Sequence, residues 1–358
     1  MLNLDKIRKI TTVPTFDVII SSENQEDDVI QLVKCIKPEW DQKSIIAEKM
    51  KGGVINNMYK CSVDNCSNGG AVVMRIYLPM MDVKMEETFD HTKEIKNFEK
   101  LRHLGVVPEL LAVFKNGLCY EYLEGDVLTC TSVRTEEMIP HVTKILATLH
   151  ALPVVNWSTP WAAEEMDKHK MNYPPNLHDA ERMKRFYEIL PTKEVYETEF
   201  EHIKNYYLSA KSPLVFCHND TKGENFIWNE SKQELKLIDL EHTGMNRQAF
   251  EIGSHFTVYT DILNPSGECF PSRDFQLKWI RSYLHFYYKA TGRNPLEITN
   301  NEVELLYVES NRMAQVVRFF IGTACLSLVE HNIFDSFEFN MINLKDYFDN
   351  KDKVAAMV

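Results

Sequence analysis

The chain has 358 residues and a formal net charge of −12, with 44% hydrophobic and 26% charged residues. This composition is too apolar for a disordered chain, and the length allows two or three domains of ~100–200 residues each. An acidic chain is poorly suited to binding nucleic acid or an anionic membrane, because both attract basic surfaces. We therefore expect a globular protein with no nucleic-acid partner.

The eight cysteines are scattered, and no two of them have the Cys-x-x-Cys spacing of a zinc site. They indicate free thiols in a reducing compartment. The amino terminus has no apolar signal-peptide core. The longest nearly apolar stretch, Phe319 to Val329, is too short to span a bilayer and predicts a buried helix. We expect a cytoplasmic protein with no membrane span.

The first 125 residues predict a small, β-rich domain. Apolar residues at helical spacing predict a helix over 25–37, and a second helix that carries Ile95 ends at Gly105. Two β-rich runs, 52–59 and 71–77, flank an Asn-Gly turn signal and predict a hairpin. Two further strands are predicted at 109–114 and 117–123.

Beyond residue 126 the pattern becomes mainly helical. The predicted helices cover 136–151, 177–190, 194–209, 273–291, 300–317 and 319–330, and a β-rich segment interrupts them at 213–243. The fold class is therefore α+β, with a β-rich N-terminal domain over 1–125 and a helical C-terminal domain over 126–358. A small β-rich lobe with a Gly-rich turn and a larger helical lobe indicate a bilobal protein-kinase-like fold.

Residues 217–225 read Cys-His-Asn-Asp-Thr-Lys-Gly-Glu-Asn, and an apolar strand that ends in Asp239 follows. The Asp220–Asn225 spacing is typical of a kinase catalytic loop. Phosphoryl transfer needs a carboxylate that orients a hydroxyl and accepts its proton, so Asp220 is the candidate catalytic base. Lys222 is a candidate to neutralise charge on the transferred phosphoryl group. The alternative is a structural turn at His-Asn-Asp with Asp239 as a helix cap, which leaves the combined spacing unexplained.

The same segment offers ligands for a metal ion. Mg²⁺ prefers hard oxygen ligands, and the amide of Asn225 and the carboxylate of Asp239 provide them. The sequence therefore predicts ATP as phosphoryl donor with Mg²⁺ bound to it.

Nucleotide contacts are expected mainly from the first domain. Glycines in a turn let the backbone approach phosphates, although a plain hairpin turn is an alternative. Arg75 lies within an apolar strand, where an unpaired charge would be costly, and Glu94 is its expected partner. The segment before Gly125 predicts the connector that offers backbone groups to adenine. The candidate nucleotide-binding residues are Gly53, Asn56, Asn57, Arg75, Glu121, Leu123 and Lys222.

With these motifs in place, the chain resembles the choline/ethanolamine kinase family, within the aminoglycoside-phosphotransferase-like kinases. The resemblance extends from Ile30 to Phe348. It implies phosphate transfer from ATP to the hydroxyl of choline or ethanolamine, the first step of phosphatidylcholine and phosphatidylethanolamine synthesis. It places Glu241 beside the metal or the substrate and points towards a homodimer. The acidic side chains of Glu241 and Glu251 would also suit a small cationic substrate. The matching stretches are 52–57, 75–77, 116–121, 218–225, 238–241, 250–256, 318–322 and 337–339.

The departures from the family lie in the amine pocket. Where the resemblance leads us to expect aromatic residues around a trimethylammonium group, this chain has aliphatic ones, and His242 replaces a tyrosine. A quaternary ammonium has no N–H to donate and depends on aromatic faces, so choline and ethanolamine both stay open. Two other hypotheses remain: a kinase of another small amino alcohol, and a catalytically inactive family member that acts as a binding partner. The replaced positions are Ile321, Ala324, Met341 and Leu344.

Overall fold

The computed structural model describes residues 1–50, 56–63, 70–77, 91–154, 159–259, 269–331 and 335–357. The chain divides into two units. The first contains Met1–Asp126 and Ile227–Glu241, and the second contains Val127–Phe226 and His242–Val358. The chain therefore leaves the first unit after Asp126 and returns to it once.

The first unit is built on a mixed sheet. Its strands are β1 (Thr15–Phe16), β2 (Ile45–Lys49), β3 (Asn56–Val63), β4 (Val72–Tyr77), β5 (Leu110–Phe114) and β6 (Gly117–Glu121). Within the described ranges their order is β1–β5–β6–β4–β3–β2. The β1–β5 pair is parallel and the others are antiparallel. Every residue of β4 is buried, because this strand has neighbours on both sides. The antiparallel pairing of β3 with β4 agrees with the predicted hairpin.

Helices cover this sheet and complete the core of the first unit. They are α1 (Leu4–Ile7), α2 (Gln25–Ile36) and α3 (His91–Leu101). The predicted helix over 25–37 is therefore confirmed. Its buried face, which includes Val29 and Val33, packs into one apolar cluster with the sheet residues Met74 and Phe114. The chain turns after α3 at Gly105, which has a positive φ of 67°.

The segment 227–241 differs from the sequence-based division at residue 126. It forms β9 (Phe226–Asn229), which starts at the junction, and β10 (Glu234–Leu237), and it packs with the first unit. Specific bonds explain this placement. The Leu237 N–H donates to the Val106 carbonyl at 2.8 Å, and the Asn97 amide donates to the Leu240 carbonyl at 3.1 Å. These long-range bonds have no signature in the local sequence.

The second unit is mainly helical. Its helices are α4 (Ile139–His150), α5 (Trp161–Lys168), α6 (Ala180–Ile189), α7 (Lys193–Ser209), α8 (Gln248–Thr257), α9 (Arg273–Ala290), α10 (Asn300–Ala324), α11 (Leu326–Glu330) and α12 (Phe337–Ala355). Short strand β7 (Asp126–Val127) lies at its start, and β8 (Leu214–Cys217) pairs antiparallel with β11 (Gly244–Arg247). α10 begins with a capping box between Thr299 and Glu302 and continues through residue 318 to Ala324, so the break predicted near residue 318 comes instead at Cys325, before α11.

Helix α8 packs very closely against α10. A Cβ atom at Gly253 would lie 2.5 Å from the Ser310 carbonyl oxygen and 2.8 Å from the Ala314 nitrogen. Only glycine allows this approach. The stretch Asn300–Glu330 is, among the described residues, the one helical segment long and apolar enough to cross a bilayer, and 61% of its most apolar window is buried inside the protein.

Candidate active site

The first unit places Arg75 of β4 among three carboxylates. Its Nη1 lies 2.7 Å from Glu94 Oε1 and 3.5 Å from Asp239 Oδ1. Its Nη2 lies 3.0 Å from Glu241 Oε2. The expected contact between Arg75 and Glu94 is therefore present, and the structure adds the two carboxylates that follow β10.

The protonation states in this cluster follow from burial and charge. Burial alone would lower the pKa of Arg75, but the carboxylates raise it well above its usual range, so the guanidinium stays charged. Burial raises the pKa of Glu94, and Arg75 opposes that shift. The Tyr77 hydroxyl donates to the second Glu94 oxygen at 3.1 Å. Three carboxylates around one guanidinium suit the binding of a further cation.

Asp239 is the carboxylate best placed to bind a ligand. Its side chain is 30% exposed, against 11% for Glu241 and 0% for Glu94. Its backbone adopts a positive φ of 65°, which is uncommon outside glycine and tolerated best by Asn and Asp. The exposed carboxylate oxygen is the ligand type that Mg²⁺ prefers.

The other nucleotide-binding candidates of the first unit have varied surroundings. Gly53 lies outside the described residues. Asn56 is buried at the start of β3, and the Asn57 amide donates to Gln25 Oε1 of α2 at 2.8 Å. Glu121 and Leu123 both line a cavity of about 140 Å³. The Asn57 side chain therefore already makes a hydrogen bond within the protein.

In the second unit, the predicted catalytic loop, residues 218–225, follows β8 and ends in a 3₁₀ turn over Gly223–Asn225. The Lys222 Nζ donates to Asp220 Oδ2 at 2.6 Å, and the Asn225 Nδ2 donates to the same oxygen at 2.8 Å. The structure thus brings together the three residues that the sequence selected here. Among the described residues, both side-chain donors to this carboxylate bond Oδ2, and none bonds Oδ1.

Asp220 stays ionised in this setting. Burial would raise its pKa, but Lys222 and the histidines His242 and His218 outweigh burial and lower the pKa to about 2. The neighbouring turn is tight, because a Cβ at Gly223 would lie 2.4 Å from the Thr129 carbonyl oxygen. A glycine is required at this position of the loop.

Glu251 does not lie where a substrate could reach it. Its side chain is completely buried at 0% exposure. One carboxylate oxygen accepts the Asn219 backbone N–H at 2.6 Å, and the other lies 2.5 Å from His150 Nε2. This location differs from the expected substrate contact, because α8 holds Glu251 against the catalytic loop from inside the protein.

The residues at the expected amine-pocket positions are mostly buried. Ile321 is partly exposed on α10, whereas Ala324, Met341 and Leu344 are 9%, 4% and 0% exposed. Leu344 of α12 packs against α10, since a Cβ at Gly322 would lie 2.7 Å from its Cγ.

A further aromatic group belongs to the same unit. Trp161 of α5 forms an edge-to-face contact with His242, with ring centroids 5.8 Å apart. His242 is also one of the groups that lower the pKa of Asp220. Sequence reasoning did not select Trp161, because nothing in its local sequence relates it to residue 242.

Known proteins are similar to this chain in sequence and in fold. The profile of the choline/ethanolamine kinase family matches residues 47–350. Mouse ethanolamine kinase 1 is 30% identical over 356 residues, which cover 96% of this chain and 95% of that protein. Plasmodium vivax ethanolamine kinase has a TM-score of 0.69 at 17% identity, covering 92% and 95% of the two chains. Cryptosporidium parvum choline kinase has a TM-score of 0.66 at 19% identity, covering 91% and 96%.

These similarities define a kinase with the protein-kinase-like α+β fold. The chain belongs to the choline/ethanolamine kinase family. It is therefore a phosphotransferase that acts on an alcohol and uses ATP, and the resemblance inferred from the sequence is confirmed.

Proposed function

We propose that this protein transfers the γ-phosphoryl group of ATP to the hydroxyl of a small amino alcohol, with ethanolamine preferred to choline. The observation that carries the proposal is the full-length similarity to proteins named ethanolamine kinase, together with an ionised Asp220 that keeps one oxygen free of protein donors among the described residues. The product would be the phosphorylated amine, the first intermediate of phospholipid head-group synthesis.

The proposed chemistry assigns Asp220 as the base. Its Oδ1 would accept a hydrogen bond from the substrate hydroxyl and so orient the oxygen towards the γ-phosphorus. The new O–P bond forms as the bond from phosphorus to the β,γ-bridging oxygen of ATP breaks. The hydroxyl proton then passes to Asp220, because the attacking oxygen becomes acidic as it bonds to phosphorus. A carboxylate with a low pKa suits this late transfer, since it must be unprotonated before reaction.

Lys222 and Arg75 are proposed to stabilise negative charge. The bond from Lys222 to one Asp220 oxygen supports this role, because it would keep the ammonium close to the transferred phosphoryl group. Arg75 would contact phosphates of the nucleotide from β4. Its bond to the buried Glu94 supports this role, because the ion pair fixes the direction of the guanidinium.

We propose Asp239 and Asn225 as ligands of Mg²⁺. The donor set fits the ion: Asp239 is a partly exposed carboxylate, and the two bonds from the Asn225 amide use its nitrogen, not its oxygen. When bound, Mg²⁺ neutralises charge on the triphosphate. Glu241 is kept as a candidate substrate or metal neighbour on the strength of its place beside Arg75.

The proposed nucleotide site also uses Gly53, Asn56, Asn57, Glu121 and Leu123. The cavity lined by Glu121 and Leu123 supports the connector as a place for adenine. Asn57 supports the site less directly, because its amide donates to Gln25.

The preference for ethanolamine rests on the residues at the amine-pocket positions. Ile321 and Ala324 offer no aromatic face, and a primary ammonium needs fewer such faces because it can donate three hydrogen bonds. The same replacements support a second candidate, in which the acceptor is a different small amino alcohol. A cytoplasmic location and a homodimer complete the proposal, and cell fractionation and light scattering test them.

The decisive experiment measures ATP consumption and phosphorylated product with ethanolamine, its mono- and dimethylated forms, and choline. We expect kcat/KM to fall as methyl groups are added. Equal or better turnover of choline would overturn the preference. Product from none of these amines, but from another amino alcohol, would favour the second candidate. An Asp220→Asn variant controls for contaminating kinases.

A further inference from the structure

Residues 8–20, the N-terminal arm, pack along α3 and β5 within the first unit. Strand β1 of the arm pairs with β5, and the Val113 N–H donates to the Pro14 carbonyl at 3.0 Å. The arm precedes residue 47, where the match to the family profile begins. The proposed phosphoryl transfer uses no residue of this arm.

The arm contains an acceptor for a basophilic protein kinase, that is, one that selects basic residues. Residues 8–12 read Arg-Lys-Ile-Thr-Thr, so Thr11 follows an arginine by three positions and a lysine by two. Protein kinases discriminate between substrates by their charge pattern, and an acidic cleft favours basic side chains at such positions. Residues 11–14 adopt neither helix nor strand, and irregular segments open locally at low free energy. Thr11 can therefore be presented to a partner kinase as extended chain.

The Thr11 hydroxyl ties the arm to α3. It donates to Glu99 Oε1, since a carboxylate only accepts, and the Thr12 N–H donates to the same oxygen at 3.2 Å. The Thr11 oxygen also accepts the Val13 N–H at 3.2 Å. The Glu99 side chain is 18% exposed, so water and salt screen its interactions poorly. A change of charge at Thr11 therefore acts directly on Glu99.

Phosphorylation of Thr11 would turn this attraction into repulsion. The step forms a bond from Thr11 Oγ1 to the γ-phosphorus of ATP and breaks the bond from that phosphorus to the β,γ-bridging oxygen. The hydroxyl proton passes to the base of the partner kinase. Thr11 then has no hydrogen to donate, and a group with a charge of about −1.5 to −2 lies opposite the Glu99 carboxylate. The two negative groups repel each other.

Both arginines beside the arm already have partners. Arg8 Nε donates to Thr15 Oγ1, and Arg102 Nη1 donates to Thr12 Oγ1, both at 2.8 Å. Recruiting either guanidinium to a phosphate on Thr11 would break the bond that it makes to the arm. In each case the arm loses a contact that holds it.

Helix α3 connects this contact with the proposed nucleotide site. Glu94 bonds Arg75 at 2.7 Å. The Asn97 amide donates to the Leu240 carbonyl, and Glu99 accepts from the arm. These three residues of α3 lie within two turns of one helix. The arm is therefore attached to the same element that directs the Arg75 guanidinium.

We propose that Thr11 is a phosphorylation site for a basophilic protein kinase, and that its phosphate releases the arm from α3 and weakens the binding of Mg·ATP. The effect on Mg·ATP rests on the proposed role of Arg75 in nucleotide binding. The modification itself and the release of the arm are independent of that role.

The first experiment treats the full-length protein with ATP and the catalytic subunit of cAMP-dependent protein kinase, a basophilic enzyme, and maps the phosphate by mass spectrometry. We expect phosphate on Thr11 in the wild type and in Thr12→Val, and none at this segment in Thr11→Val. Arg8→Met should lower the rate by about tenfold or more, because it removes a charge-assisted contact with the kinase.

The second readout is amide hydrogen exchange of the peptide that covers 8–20, which needs no substrate. We expect faster exchange there in the phosphorylated protein and in Thr11→Glu. Ser22→Glu, at an exposed position of the same unit, is the control for added charge and should exchange as the wild type does. The third readout is calorimetry. The Kd for Mg·ATP should rise about fivefold or more on phosphorylation and stay unchanged in Ser22→Glu.

Phosphate on Thr12 instead of Thr11, or on neither, would overturn the site. Unchanged exchange of the arm in the phosphorylated protein would overturn its release, and so would slower exchange, because that result indicates a new bond to an arginine. An unchanged Kd for Mg·ATP would overturn the connection through α3. If the wild-type protein binds no Mg·ATP, the proposed function fails, and the mapping and exchange data still decide the modification and the release.

Discussion

Lys222 and Asp220, two residues apart, form a 2.6 Å ion pair that occupies Oδ2 of the Asp220 carboxylate. Asn225 donates to the same oxygen. The pair therefore does two things at once: it keeps Asp220 ionised, and it leaves the two carboxylate oxygens unequal, because among the described residues both donors bond Oδ2. Without these two donors, the Asp220 side chain would rotate and its two carboxylate oxygens would become equivalent.

Asp220→Asn tests the base directly. We expect kcat to fall by about 10²–10⁴-fold, because an amide cannot accept the hydroxyl proton. Calorimetry should give an unchanged Kd for Mg·ATP. Glu224→Gln, at an exposed position of the same loop, is the control and should keep wild-type kcat. Near wild-type turnover in Asp220→Asn would remove the residue from the base role.

Arg75→Met should destabilise the protein strongly. Removing one partner of a buried ion pair leaves an uncompensated charge, here on Glu94, and costs about 3–5 kcal/mol. Urea unfolding measures the loss. The control is Arg8→Met, which removes an exposed pair with Asp5 and should cost less than about 1 kcal/mol.

A double variant, Arg75→Met with Glu94→Gln, extends this test. It should recover part of the lost stability, because the buried charge is removed with its partner. If the single and double variants are equally unstable, the effect comes from lost packing of the arginine and not from charge.

Asp239→Asn should weaken the binding of Mg·ATP with little effect on the backbone. Asparagine tolerates the positive φ at this position, so the variant removes the charge and keeps the conformation. Titration calorimetry with and without Mg²⁺ is the measurement, and we expect the loss only with Mg²⁺. Asp41→Asn, an exposed carboxylate of the same unit, is the control. Unchanged Mg²⁺-dependent affinity would place the ion elsewhere.

His255 should make stability depend on pH between about 6.5 and 4. Burial lowers its folded-state pKa from 6.5 to about 4. Within this window the unfolded chain binds a proton that the folded protein excludes, so stability falls as the pH falls. The slope from this one group approaches ~1.4 kcal/mol per pH unit. Denaturant unfolding of the wild type and of His255→Asn at several pH values should differ by that slope, and parallel curves would contradict the prediction.

Ile321→Trp should lower KM for choline more than KM for ethanolamine. One added ring beside a quaternary ammonium contributes ~0.5–2 kcal/mol, and Ile321 is the one of the four expected pocket positions that is partly exposed. Ala324→Trp should instead destabilise the protein by about 1–3 kcal/mol, because Ala324 is packed. Leu305→Trp, at an exposed position of the same helix, is the control. Equal changes for both amines would mean that residue 321 does not face the ammonium.

The sequence predicted the class of fold and a cluster of polar side chains after β8, because both depend on local patterns. Helical periodicity predicted α2 and most helices of the second unit. The spacing of Asp220, Lys222 and Asn225 predicted a group that the structure brings together. The pairing of β3 with β4 was equally predictable, since an Asn-Gly turn signal lies between two β-rich runs.

The parts that the sequence did not predict depend on contacts between distant residues. Nothing near residue 227 indicates that the segment to 241 packs with the first unit, because the bonds that hold it reach Val106 and Asn97. The sequence suggested Glu251 as a substrate contact because a carboxylate suits a cationic substrate. Its burial depends on His150, about a hundred positions earlier in the chain.

Gly253 packs against α10, the helix that also carries Ile321. Its close approach is to Ser310 and Ala314 of α10, and Ile321 lies about two to three turns further along the same helix. Side chains near residue 321 can therefore be replaced while residues 310–314 of α10 keep their packing against α8, the helix that carries Glu251 and His255. Such an arrangement would allow the residues at the expected amine-pocket positions of α10 to change while the packing between α8 and α10 at Gly253 stays the same.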